Sequence, residues 1–199
     1  MTTSGPVAGR AVAALLLSGG SSRRMGRDKT QLVLEGMTIA RRTGRLLQQV
    51  SETALEVGPG TSGLAFVREV PHGAGPLAAV AEGRRALLER GHCGDALVVA
   101  CDLPLLSADL LHWLAAFDAP VSVVPVVEGR AQPLLARWSG PDLDTAAELV
   151  RGGERSLRPL LRAPGVVLVD ESQWGSITGR ETFDDIDTPA DAHRYGLDV

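Results

Sequence analysis

Between Ala14 and Lys29 an apolar run passes abruptly into a glycine-rich, basic loop, ALLLSGGSSRRMGRDK. Residues 11–17 are short, apolar and rich in branched side chains, the pattern of a buried strand. Gly19 and Gly20 then break the run. Without a Cβ they let backbone N–H groups approach a ligand closely, and successive N–H groups form a concave nest for anions. Arg23, Arg24, Arg27 and Lys29 follow. Lys29 is the only lysine in the chain, every other cationic side chain of that class being arginine. An ammonium is a compact point charge and a guanidinium a wide planar fork, so one lysine kept in this loop reads as a phosphate clamp.

Two common phosphate loops are excluded by spacing. A Walker loop needs a lysine directly after its second glycine, and here Arg27 follows Gly26. The dinucleotide fingerprint G-x-G-x-x-G does not fit Gly19, Gly20 and Gly26 either.

Further along, apolar and helical patterns alternate. A short extended piece is expected at 31–36, a helix at 38–50, and strands at 53–57 and 64–67 around a loop at 58–63. A loop at 70–75 leads to a helix at 76–90, where Pro76 suits the first turn. An apolar strand at 96–101 follows, then a helix at 108–117 capped by Ser107. Strands are expected at 121–127 and 132–138, the second running back beside the first. Helices at 142–150 and 156–161, a strand at 166–169, and a last helix opened by Thr188-Pro189-Ala190-Asp191 complete the chain. Alternating strands and helices imply a largely parallel sheet covered on both faces.

In such sheets ligands bind beyond the carboxyl ends of the strands. Three groups fall there: the glycine loop, Glu69 and Asp102. A carboxylate facing a polyphosphate calls for a cation between them, commonly Mg2+. Spacing alone leaves Asp102 open between a metal ligand and a turn or N-cap residue. His72 is expected in a solvated loop, and His92, His112 and His193 lack zinc-ligand spacing. Trp113 and Trp138 read as packing, and Arg84 and Arg85 as a solvated helix face.

Composition narrows the class. The 199 residues suit one domain spanning 11–199 behind a flexible tail at 1–10. A net charge of -4 argues against a general nucleic-acid or anionic-membrane surface. Two cysteines, Cys93 and Cys101, are too few for a disulfide scaffold and suit a cytoplasmic protein. No apolar run has transmembrane length, and the run after Arg10 is at the lower limit for a secretion signal.

Residues 17–29, L-S-G-G-x-S-x-R-M-G-x-D-K, resemble the signature loop of the molybdenum cofactor guanylyltransferase family, usually L-A-G-G-x-S-x-R-M-G-x-D-K. Only Ser18 departs from it. Cys101-Asp102-Leu103-Pro104 is similar to the family's D-x-P segment, and Gly75-Pro76-Leu77-Ala78 to its G-P-L-A-G, with Ala79 for the last Gly. Glu69 stands where an Asp is usual. Gln132-Pro133-Leu134-Leu135-Ala136, Gly153-Glu154-Arg155-Ser156-Leu157 and Phe183-x-Asp185-Ile186-Asp187-Thr188-Pro189 resemble later family segments, the last with Asp for Asn twice.

The resemblance implies a three-layer Rossmann-like α/β fold of the nucleotide-diphospho-sugar-transferase type, mostly parallel with an antiparallel strand. It implies an Mg2+-dependent transfer of GMP from GTP to molybdenum-molybdopterin, with release of pyrophosphate. Arg24, Lys29 and Asp102 would be catalytic, and Asp102 and Asp187 would hold the metal, although Asp187 also suits a helix-cap helper. Leu17, Ser18, Gly19, Gly20, Lys29, Glu69, Gly75, Pro76, Leu77 and Asp102 would bind the nucleotide, with the 19–20 backbone cradling the triphosphate. Cofactor-insertion proteins or molybdoenzymes are candidate downstream partners. Asp-Ile-Asp-Thr-Pro at the end also suits a cytidylyltransferase or another small-acceptor branch. A catalytically silent nucleotide-binding regulator or cofactor chaperone is the alternative from another class.

Overall fold

The computed structural model describes residues 11–19, 29–71 and 73–198, so the expected tail at 1–10 lies outside it. In chain order, β1 (Ala13–Leu17) is followed by a 3-10 turn at Lys29–Gln31, a hairpin of β2 (Val33–Leu34) and β3 (Met37–Thr38), and α1 (Ile39–Val50). Next come β4 (Ala54–Val57), β5 (Ala65–Val67), α2 (Pro76–Glu89), β6 (Ala96–Ala100) and α3 (Ala108–Ala116). The second half carries β7 (Val123–Val127), β8 (Arg130–Ala131), β9 (Leu135–Trp138), α4 (Gly140–Arg151), β10 (Val167–Val169), α5 (Glu171–Trp174) and α6 (Pro189–Arg194).

The central sheet runs β10-β7-β9-β6-β1-β4-β5, with β8 paired to β7. β1 lies parallel between β4 and β6, β4 is parallel to β5, and β10 is parallel to β7. β9 is antiparallel to both of its neighbours. This is the mixed, mostly parallel sheet that the sequence implies.

Alternation along β1 divides the core. Ala14 and Leu16 join one apolar layer with Leu47 of α1 and Leu110, Leu111 and Leu114 of α3. Ala13, Leu15 and Leu17 join the other, with Leu77, Val80 and Leu87 of α2 and Leu143 of α4. A strand buried on both faces must be apolar at every position, and all five residues of β1 are buried. A third, smaller cluster of Leu32, Leu34, Ile39, Ile186, Ala192 and Leu197 fastens the C-terminal segment to the β2–β3 hairpin.

Four expectations about the elements need correction. The strand expected from 132 starts at Leu135, after a turn in which the Leu135 N–H donates to the Gln132 carbonyl at 3.1 Å. The helix expected at 156–161 is only a 3-10 turn at Leu160–Arg162. Pro159 lies inside that pattern, lacks an N–H and disfavours helical backbone in the residue before it. Arg84 is no solvated residue: it is buried, and donates to Asp144 Oδ1 at 2.7 Å and to the Gly94 and Cys93 carbonyls at 2.9 and 3.0 Å. It thereby joins α2 to α4, while Arg85 faces solvent beside Glu82 and Glu89. The strand expected from 121 starts at Val123, because Ser122 turns its hydroxyl to Asp142 and accepts the Ser139 N–H.

Candidate active site

A cavity of about 350 Å³ opens at the carboxyl ends of β1 and β6. Leu17, Ser18, Gly19, Lys29, Glu69, Gly75, Pro76 and Asp102 all line it, so most of the sequence candidates converge there. Arg24, Gly20 and His72 lie outside the described residues. Leu77 does not line the cavity. Its side chain is fully buried in the core, and its N–H donates to the Arg155 carbonyl at 3.1 Å.

On the β6 side, the chain leaves the central strand and places Asp102 two residues beyond its end. The Asp102 carbonyl accepts the Ile186 N–H at 3.1 Å, which draws the 185–187 segment onto the end of the sheet. Ile186 is fully buried in the third apolar cluster. In extended chain its two neighbours point the opposite way. Oxygens of Asp102, Asp185 and Asp187 accordingly lie within 4.8 Å of one another.

Lys29 sits against this cluster. Its Nζ donates to Asp187 Oδ1 at 2.7 Å and to Asp102 Oδ2 at 3.2 Å. Burial pushes the ammonium toward neutrality, but the bond to Asp187 and the charge and bond of Asp102 outweigh it and raise its pKa. Asp185 joins the cluster from the same segment as Asp187. Partial desolvation pushes its carboxyl up, the charges of Asp102 and Asp187 push it further, and Lys29 only partly offsets them. Like charges crowded around oxygen donors are a chemistry that suits a hard divalent cation. Asp187 is not the cap of α6: Thr188 accepts the Asp191 N–H, and Asp191 Oδ2 accepts the N–H groups of Asp187 and Thr188.

On the β4 side, Glu69 is buried and its Oε1 accepts the Gly73 N–H at 2.7 Å, which curls the 69–73 turn. Gly19 packs beside it, since a Cβ there would lie 3.6 Å from that oxygen. The Gly19 N–H donates to the Val57 carbonyl at 3.3 Å, so this amide is not aimed at a phosphate as the loop pattern suggests. The N-terminus of α2 supplies Gly75, Pro76 and Ala79 to the wall. A helix start carries partial positive charge and suits an anion. Gly75 has φ +111°, and a Cβ there would lie 2.9 Å from the Arg155 carbonyl oxygen, so only glycine fits. Arg155 also donates to the Gly73 carbonyl at 2.9 Å, so the later basic segment braces this loop. Gly73, Ala100, Cys101 and Leu134 line the cavity too. Their small or apolar side chains carry no chemical signature, which is why the sequence did not single them out as contacts.

The fold is that of nucleotidyltransferases. The structure superposes on molybdopterin-guanine dinucleotide biosynthesis protein A from Archaeoglobus fulgidus with a TM-score of 0.77 at 20% identity, covering 92% of this chain and 96% of that one. A 2-C-methyl-D-erythritol 4-phosphate cytidylyltransferase from Thermus thermophilus shares the fold with a TM-score of 0.64 at 19% identity, over 92% and 97% of the two chains. Residues 14–170 match the MobA-like NTP transferase domain, and the chain belongs to that family. A relative from Mycobacterium tuberculosis named probable molybdenum cofactor guanylyltransferase is 35% identical over 161 residues, 76% of this chain and 80% of the relative. One of the same name from Mycolicibacterium paratuberculosis is 34% identical over 179 residues, 82% and 88% of the two chains.

Proposed function

We propose that this protein is a guanylyltransferase that moves GMP from GTP onto the terminal phosphate of molybdenum-molybdopterin. The acceptor phosphate oxygen attacks the α-phosphorus in line, the bond to the β-phosphate oxygen breaks, and pyrophosphate leaves with the displaced electron pair. Positioning and charge neutralisation then supply most of the rate. One observation carries the reading: the chain's single lysine is held by Asp102 and Asp187 at the carboxyl end of the central strands, beside a cavity walled by the Ser18–Gly19 segment and a helix start.

In this reading Lys29 and Arg24 hold phosphate oxygens, and Asp102 and Asp187 hold Mg2+, with Asp185 adjoining them. Bound there, the metal would offset the charge of the triphosphate. Leu17, Ser18, Gly19, Gly20, Glu69, Gly75 and Pro76 form the nucleotide's surroundings, and residues 11–199 act as one domain. Glu69 contributes by shaping the 69–73 turn against Gly19. We place the protein in the cytoplasm, where its free thiols Cys93 and Cys101 stay reduced. Among the described residues no helix is long and apolar enough to cross a membrane.

Asp185 and Asp187 in place of the family's usual asparagines favour a second reading, CTP as donor. A thermal-shift panel of GTP, CTP, UTP and ATP with Mg2+ separates the two. At a hundredfold excess over its Kd, a ligand stabilises the native state by about 2.7 kcal/mol, or about 5–10 °C for a chain of this size. GTP is expected to give the largest shift; a larger one with CTP moves the protein to the cytidylyl branch.

A further inference from the structure

Glu56 is a carboxylate inside the sheet. It lies in β4, and none of its surface reaches solvent. Oε1 accepts the Ser18 hydroxyl at 2.6 Å and the N–H groups of Gly60 and Thr61 at 2.8 and 3.0 Å. Oε2 accepts the N–H and hydroxyl of Ser62 at 2.8 and 2.5 Å. Burial would push this carboxyl up, but the bonds from Ser18, Ser62 and Thr61 outweigh it and hold it below the usual glutamate value. A buried charge with this many donors is a built feature, since each missing bond would leave a costly unsatisfied oxygen.

Four of the five donor groups belong to the turn that follows β4 itself. Ser18 alone comes from elsewhere, 38 residues earlier, at the end of β1. Its N–H donates to the Val57 carbonyl at 3.1 Å, so backbone and side chain are both fastened to the β4 side. Gly58 makes room for the hydroxyl: a Cβ there would lie 2.0 Å from Ser18 Oγ. Glu56, Gly58 and Ser18 therefore fit one another as a set.

We propose that Glu56 is a positioning residue for nucleotide binding, acting through the Ser18 hydroxyl to fix the Ser18–Gly19 wall of the cavity. The inference rests on the nucleotidyltransferase reading of that cavity. Glu56 lies on the β4 side of β1, whereas Lys29, Asp102 and Asp187 gather beyond the end of β6 on the other. The pair thus orders the wall before the ligand arrives, which favours affinity, and leaves the reacting end alone.

Ser18→Ala tests this, because it removes one hydroxyl and leaves every backbone donor to Glu56 in place. Calorimetric titration with GTP and with CTP, each with Mg2+, should show the preferred nucleotide bound about 5–10-fold more weakly, the scale of one ordinary net hydrogen bond. KM should rise in parallel, and the thermal midpoint of the free protein should fall by no more than about 5 °C, the scale of one lost hydrogen bond. Glu56→Gln should cost much less affinity in the Ser18→Ala background than in the wild type. A Kd for Ser18→Ala within twofold of wild type overturns the proposal, as do losses that simply add across the pair, or a KM rise matched by a large fall in melting temperature. If the wild type binds neither nucleotide, the functional reading itself falls, and the proposal with it.

Discussion

At position 29 the difference between an ammonium and a guanidinium becomes measurable. Lys29 Nζ bridges two carboxylates at 2.7 and 3.2 Å, a site sized for a compact head group. Lys29→Ala is expected to lower turnover about 10²–10³-fold, the scale for losing one preorganised electrostatic donor. Lys29→Arg keeps the charge, so it should fold normally, yet its wider fork cannot take the same place, and most activity should be lost. Steady-state rates and circular dichroism of the two variants decide the matter; an arginine enzyme with wild-type turnover reduces Lys29 to a nearby positive charge. Asp102→Asn should abolish most Mg2+-dependent turnover while barely changing the melting temperature, because the side chain is partly exposed and outside the core. Unchanged metal dependence in that folded variant would make Asp102 a turn residue. These side chains were legible because their charge stands at chemically telling places. Asp185 was not legible in this way, since nothing in D-I-D says that a buried Ile186 will turn both carboxylates toward Asp102.

At the scale of the element, the turn after β4 depends on one buried charge. Glu56 has its pKa lowered from the ordinary 4.5, so its contribution is fully present above that value and is lost as pH falls through the lower folded-state value. Glu56→Gln should therefore destabilise the protein by about 2–3 kcal/mol at pH 7, as expected for breaking a buried charged hydrogen-bond network. The gap between variant and wild type should narrow on acidification below about pH 4.5. Denaturant unfolding at pH 7 and at pH 3.5 checks this; a gap that stays constant would mean that folding does not lower the carboxyl's pKa, and a gap that widens would mean that the native carboxyl is neutral. Glu56 was invisible in the sequence, where it looked like an ordinary polar residue in a short strand. Its partners are backbone amides and a serine 38 positions away, and no local pattern encodes them. The strands around it were legible for the opposite reason: a central parallel strand is apolar throughout, as in β1 and β6. The helix read at 156–161 failed because Leu157 and Leu160 are buried at helical spacing without a helix, in a segment that Pro159 interrupts.

Across the whole molecule, the two apolar layers hold β1 between β4 and β6, and the segments following β1, β5 and β6 meet around one crevice. The third cluster brings the C-terminal carboxylates to the same place from almost the far end of the chain. This convergence brings Ser18, Asp102 and Asp187, far apart in the chain, to one end of the sheet. It sets the Ser18–Gly19 wall on one side of the crevice and Lys29 with its carboxylates on the other. The direct test is pyrophosphate release from GTP, CTP, UTP and ATP, each with Mg2+, with and without molybdenum-molybdopterin. Release is expected from GTP and requires both the acceptor and Mg2+, with the guanine dinucleotide form of the cofactor as the co-product. Acceptor-independent release, faster release from CTP, or no release from any of the four would contradict it.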